Sequence, residues 1–170
     1  MEMKILGNRC EAIGDQLGFH ICLAIDGQGL GGGGGGLCLM WRESISVEII
    51  GSAANYIDCL VQTDEVESKW RSTGFYGYPD RTRRRESWAL LRHLSLLSDK
   101  PWLLMGDFND IVSDSEWRGR IPQPPWLLRG FREAIQHSGL QNVTFQGYQL
   151  TWEQGRAIQH SGLQNVTFER

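Results

Sequence analysis

The chain has 170 residues, of which 41% are hydrophobic and 22% charged, and a net charge of -3 at pH 7. That length fits one domain able to bury a core, and the composition excludes bulk disorder. No apolar run nears the roughly 18 residues of a membrane span, MEMKILGNRC lacks the apolar stretch of a signal peptide, and the acidic balance leaves only a local basic patch to hold nucleic acid. An intracellular protein is expected, without membrane contact or an obligate protein partner. Cys10, Cys22, Cys38 and Cys59 form no CxxC pair and have no histidine cluster beside them, which disfavours zinc and disulfide frameworks and points to free, buried thiols.

In chain order, the apolar spacing Leu6, Cys10, Ile13, Leu17 predicts a helix over 5–17 with Gly18 as its left-handed cap. FHICLAI (19–25) and LCLMW (37–41) read as short strands around a glycine-rich connection. The run Gly31 to Gly36 lacks the Lys-Ser/Thr of a phosphate-binding loop and reads as a linker. SISVEII (44–50) and YIDCLVQ (56–62) suggest an antiparallel pair, followed by a strand in KWRSTGFYGYP (69–79). A leucine stripe from Thr82 to Ser98, with Thr82 as N-cap, predicts a second helix, PWLLMG a further strand, and Leu128 to Ser138 a third helix ending at Gly139.

AIQHSGLQNVTF occurs twice, at 134–145 and 157–168. Two copies do not make a solenoid, so residues 157–170 are expected outside the fold and residues 1–156 form the domain. The order of elements suggests a layered α/β sandwich: two mixed, mainly antiparallel sheets flanked by helices.

The stretch PWLLMGDFND carries the chemistry. In a strand, Asp107 and Asn109 would share one face, although Asp and Asn are equally favoured in turns by their side-chain bonds to the backbone. Tyr76 also stands at a strand end, before a glycine and a proline. A phenol, a carboxylate and an amide converging there suit a phosphate and a water, with a divalent cation supplying positive charge. Arg81, Arg83, Arg84 and Arg85 open the second helix, where cations oppose the dipole unless anions approach. They are candidate nucleic-acid contacts, with a solvated helix start as the competing reading. Trp117 and Trp126 flank GRIPQPP and suit loop packing better than base stacking.

TGFYGYPDRTRRRESWALLRHLS, PWLLMGDFNDIVSDSEWRGR, PPWLLRGFREAI and YQLTW resemble the endonuclease domain of plant LINE-type (non-LTR) retrotransposons, in the endonuclease/exonuclease/phosphatase superfamily. The resemblance covers most of residues 1–156 and implies Mg2+- or Mn2+-dependent nicking of DNA in the nucleus. It implies that Glu2, in MEMK, is the metal-binding glutamate, that Tyr76 bonds the scissile phosphate, and that Asp107 orients or protonates in the cleavage step. Asn109 would contact the phosphate and the attacking water. It also implies an asparagine strand before this segment and Asp and Ser-Asp-His strands after it. Their absence suggests a fragment incomplete at both ends, with open sheet edges and little or no nuclease activity, for which His160 in its His-Ser-Gly setting is no substitute. The rival expectations are a noncatalytic nucleic-acid-binding fragment and a functionless relic.

Overall fold

A computed structural model of the chain describes residues 2–3, 7–27, 36–63, 68–117, 120–143, 152–153, 156–157 and 166–169. Residues 31–35 of the glycine run, and His160, lie outside them. Strand β1 (Glu2–Met3) precedes helix α1 (Gly7–Leu17) and the strands β2 (Ile21–Asp26) and β3 (Gly36–Trp41). Gly18 closes α1 at φ 78°, the left-handed cap expected there. These three strands form an antiparallel sheet in the order β1-β3-β2.

A larger sheet begins with β4 (Ser46–Ala53) and β5 (Tyr56–Gln62), an antiparallel pair with a bulge between Ile49 and Gly51. β6 (Trp70–Tyr76) pairs antiparallel with β5 and parallel with β7 (Trp102–Asp107). The crossover between the parallel strands is α2 (Arg84–Ser95), entered through a single 3-10 turn over Arg81–Arg83. Asp80, rather than the expected Thr82, caps that turn, its carboxylate accepting the Thr82 N–H at 2.9 Å. Helix α3 (Pro125–His137) begins three residues before the expected Leu128, because a proline fits the first helical turn, where no N–H is needed.

The sheet continues past β7. β8 (Gln141–Asn142), from the first copy of the repeat, and β11 (Val166–Glu169), from the second, complete the order β4-β5-β6-β7-β11-β8; a hairpin of β9 (Trp152–Glu153) and β10 (Arg156–Ala157) lies between them in sequence. Residues of the second copy thus stand beside β7 as β11, at Val166–Glu169. β7 has β6 on one edge, parallel, and β11 on the other, antiparallel, so neither edge is left as a template for another strand. Identical residues take different structure: Ala134 is in α3, Ala157 in β10.

Period-two alternation separates two cores. Phe75, Trp102 and Leu104 face α2 and α3, which close over them with Trp88, Leu91, Leu94, Leu127 and Phe131. Ile57 and Tyr76 face the opposite way and pack with Leu37 of the smaller sheet. The result is an α/β protein with a mixed sheet and an antiparallel sheet flanked by helices. All four cysteines are free, Cys10 and Cys59 buried and Cys22 and Cys38 half-buried. Burial and the neighbouring Cys10 push the Cys38 thiol up to about 12, and burial pushes Cys59 up to about 11, so neither is a thiolate near neutrality.

Candidate active site

Register places the site. Tyr76, the last residue of β6, lies opposite Asp107, the last of β7, in the one parallel pairing of the larger sheet among the described residues. Side chains opposed in parallel strands leave the sheet on the same face, here the face turned from α2 and α3. Two glycines permit the approach. A Cβ on Gly106, at φ 147°, would sit 1.9 Å from the Phe75 carbonyl oxygen, and one on Gly77 would sit 2.1 Å from that of Phe108. The Gly77 N–H donates to the Asp107 carbonyl at 2.8 Å, extending the ladder one residue past the strands.

Asp107 and Asn109 do not meet through strand alternation. β7 ends at Asp107, Asn109 has φ 56°, and the Asp107 Oδ1 accepts the Asn109 N–H at 2.8 Å in a tight side-chain turn. Asparagine tolerates this left-handed conformation better than most residues. Its Nδ2 donates to the Gly77 carbonyl at 2.8 Å, which bridges the turn back to the end of β6. Between them, Phe108 is buried and stacks on Phe75 with centroids 5.3 Å apart, anchoring the turn in the core. The turn reading holds: Asp107 is exposed, Asn109 half-buried, and the ring between them anchors the turn in the core.

Glu2 lies opposite Leu37 in the β1–β3 register, and Leu37 packs in the cluster containing Tyr76. The backbone of Glu2 is therefore one strand away from a neighbour of Tyr76. Among the described residues, no group of three His, Cys, Asp or Glu side chains forms a metal cluster. Asp107 uses one carboxylate oxygen in the turn and Asn109 only its amide nitrogen, which leaves a carboxylate oxygen and an amide oxygen at the strand ends. Such hard oxygen donors fit a cation of the Mg2+ class better than a soft one.

The loop is supported from the helical side by Asp110, which sequence reasoning did not single out. Its carboxylate accepts the Trp88 Nε1–H at 2.8 Å and pairs with the Arg84 guanidinium at 3.0 Å. Burial pushes the Asp110 carboxyl up from its ordinary value, with the Trp88 bond and Arg84 opposing that shift. Arg84 also donates to the Pro79 carbonyl at 3.1 Å, so the start of α2, the 79–80 corner and the loop after β7 are tied together.

This corrects the reading of the arginine run. Arg84 is buried and committed to Asp110, because its helix turn faces inward. Arg83 pairs with Glu86 at 2.8 Å and lies 3.7 Å over the Tyr78 ring. Arg81 and Arg85 are exposed; Arg81 donates to Gln123 at 3.2 Å, and Arg85 stacks over Trp126 at 5.7 Å. A basic run read from sequence carries no face, and helical rotation distributes it among different roles.

A family model described as the endonuclease/exonuclease/phosphatase family matches residues 6–156, and the chain belongs to that family. No match was found among curated proteins. Among solved structures, the endonuclease domain of TRAS1, a telomere-specific non-LTR retrotransposon, is similar at 15% identity over 86% of this chain and 64% of its own, with a TM-score of 0.58. The human Nocturnin catalytic domain is similar at 11% identity over 96% of this chain and 64% of its own, with a TM-score of 0.60. A mannosyl-6-phosphatase of Bacteroides thetaiotaomicron is similar at 12% identity over 95% of this chain and 67% of its own, with a TM-score of 0.54. These are likenesses of fold, and the chain spans 64% of the length of each of the first two.

Proposed function

We propose that the chain is a metal-dependent phosphodiester hydrolase, a DNA-nicking endonuclease of the kind found in plant LINE-type retrotransposons, acting in the nucleus. The observation that carries this reading is the convergence of Tyr76, Asp107 and Asn109 at the ends of the parallel strands, held by the Asn109 side chain on Gly77. Membership of a family that joins nucleases and phosphatases supports it, as does the fold shared with a retrotransposon endonuclease domain.

Glu2 would hold Mg2+ or Mn2+, with the free oxygens of Asp107 and Asn109 near it. When bound, the ion supplies positive charge against the phosphate and makes water a better nucleophile. Tyr76 donates its phenol proton in a hydrogen bond to a phosphate oxygen. Asn109 contacts the phosphate and the attacking water through its amide. The Asp107 carboxylate oxygen left over from the turn orients that water, or the carboxyl, in its protonated form, gives its proton to the leaving oxygen and is left as carboxylate. Because the loop is fixed before substrate arrives, these groups cost little to reorganise as charge grows in the transition state.

Nicking of supercoiled plasmid by the purified chain, with Mg2+ and with EDTA, tests the reading. Open circles that form with Mg2+, not with EDTA, and not with Asp107→Ala support it. Metal-independent nicking, or nicking that survives the substitution, overturns it. Absence of nicking by a folded chain favours the second reading, a noncatalytic nucleic-acid-binding fragment, for which the exposed Arg81 and Arg85 are the observation.

A further inference from the structure

Three arginines away from the strand-end cluster gather on the helical face. A cleft of about 330 Å³ between α2 and α3 is lined by Arg85, Arg92 and Arg129, with Trp88 and Trp126, against one acid, Glu133. No ion pair joins any of these three arginines to an acid among the described residues. In a chain of net charge -3, three guanidinium groups on two adjacent helices, with a single acid beside them, repel one another and are relieved when an anion joins them.

The floor is aromatic by construction. Gly130 has no side chain where a Cβ would fall 2.2 Å from the Trp88 ring, so α3 crosses directly over the indole. Trp126 meets Trp88 edge-on at 6.0 Å and is 38% exposed, which leaves part of its surface open at the cleft. Arg85 already lies over the Trp126 ring at 5.7 Å, a cation and a ring sharing one side of the groove.

We propose that this groove binds single-stranded nucleic acid, with Arg85, Arg92 and Arg129 on backbone phosphates and one base against Trp126. Charge alone suits any polyanion; the exposed indole beside the guanidinium groups selects one that also carries flat, unpaired rings, as aromatic platforms in basic grooves do. An acidic peptide offers carboxylates without the rings, and a duplex keeps its bases stacked inside. The groove communicates with the strand-end loop through one residue: Trp88 floors the cleft and donates to Asp110, next to Asn109. A strand held here would lie behind the hydrolytic cluster as a second contact. The proposal does not depend on hydrolysis.

Fluorescence anisotropy in EDTA, with labelled oligothymidylate and with a duplex of matched length, provides the test. Arg92→Glu with Arg129→Glu is expected to weaken single-strand binding at least about tenfold and to flatten its salt dependence by a slope of about 1.4, the share of two phosphate contacts. Trp126→Ala is expected to weaken the single strand by about tenfold and leave the weaker duplex binding unchanged. Arg129→Gln alone, at an exposed position, should lose a few-fold and serves if the double variant does not fold. Lys100→Gln, at an exposed cation outside the groove, should bind like the wild type, which separates the groove from a general loss of positive charge. Unchanged affinity in the arginine variants, equal affinity for the duplex, or indifference to Trp126→Ala would overturn the proposal.

Discussion

Two buried arginine–aspartate pairs, each attended by a tryptophan, lie on the helical side of the larger sheet. In the first, Arg71 donates Nε to both Asp58 oxygens at 2.9 and 3.0 Å, one terminal nitrogen to Asp58 at 2.7 Å and the other to the Leu94 carbonyl at 2.7 Å. Thr73 donates to Asp58 at 2.6 Å and accepts the Trp102 Nε1–H at 2.8 Å, so the network joins β5, β6, β7 and α2. In the second, Arg84 and Asp110 meet with Trp88 under the strand-end loop, and the Arg84 Nε has no hydrogen-bond partner. Buried charge is tolerated where every donor is answered, as around Asp58. Around Asp110 the accounting is left open, beside the residues assigned to the chemistry. The complete network ties the sheet to α2; the incomplete one ties the start of α2 to the loop after β7.

Substitutions that strip one partner from each pair should separate these roles. Asp58→Ala leaves Arg71 as an uncompensated charge at the centre of the fold and should cost about 3–5 kcal/mol in urea denaturation. Asp110→Ala, with a less complete network to lose, should cost about 1–3 kcal/mol. It should also slow any metal-dependent nicking per folded molecule, which tests whether the loop is positioned by Asp110. At Asn109 the backbone and side-chain contributions divide. Asn109→Gly keeps the left-handed conformation and loses the Gly77 bond, about 1 kcal/mol, whereas Asn109→Ala adds strain of about 1–2 kcal/mol. Finding the two variants equally stable would remove the strain argument.

The smallest effect is one of pH. Asp110 in the folded chain has its pKa raised above the ordinary 3.8 by burial. Across the window from that ordinary value to its raised one, the native state binds more protons than the unfolded chain. The contribution of Asp110 is therefore fully present below the ordinary value and lost as pH rises through the folded one. Stability curves of wild type and Asp110→Asn should diverge across that window, the wild type falling more steeply with rising pH. Parallel curves would show that Asp110 titrates as an ordinary carboxyl.

The strands from β2 to β7 were legible because their apolar runs are short and bounded by turn residues. The Tyr76–Asp107 pairing was visible only as two strand ends; the parallel register that joins them depends on the α2 crossover and on what Gly77 and Gly106 permit. For Asp107 and Asn109 the turn reading was legible from the residue types and holds, whereas shared strand alternation does not. A side-chain turn at φ 56° brings them together where strand periodicity had been the expected cause. Arg84 was misplaced because composition gives no rotation, and Asp110 was missed because its partners lie 26 and 22 positions away. The β11 strand was unforeseen because residues 157–168 repeat 134–145 residue for residue, so the sequence itself does not show which copy pairs with β7.

The central claim is that Asp107 reacts where Asp58 and Asp110 support. The measurement that meets it most directly is the Mg2+-dependent plasmid-nicking rate of Asp107→Asn beside the wild type, with melting temperatures recorded for both. Asp107 is exposed and outside both buried networks, so the account predicts little change in melting temperature and loss of nicking. Wild-type nicking by Asp107→Asn would contradict it and move the chemistry away from the strand-end cluster.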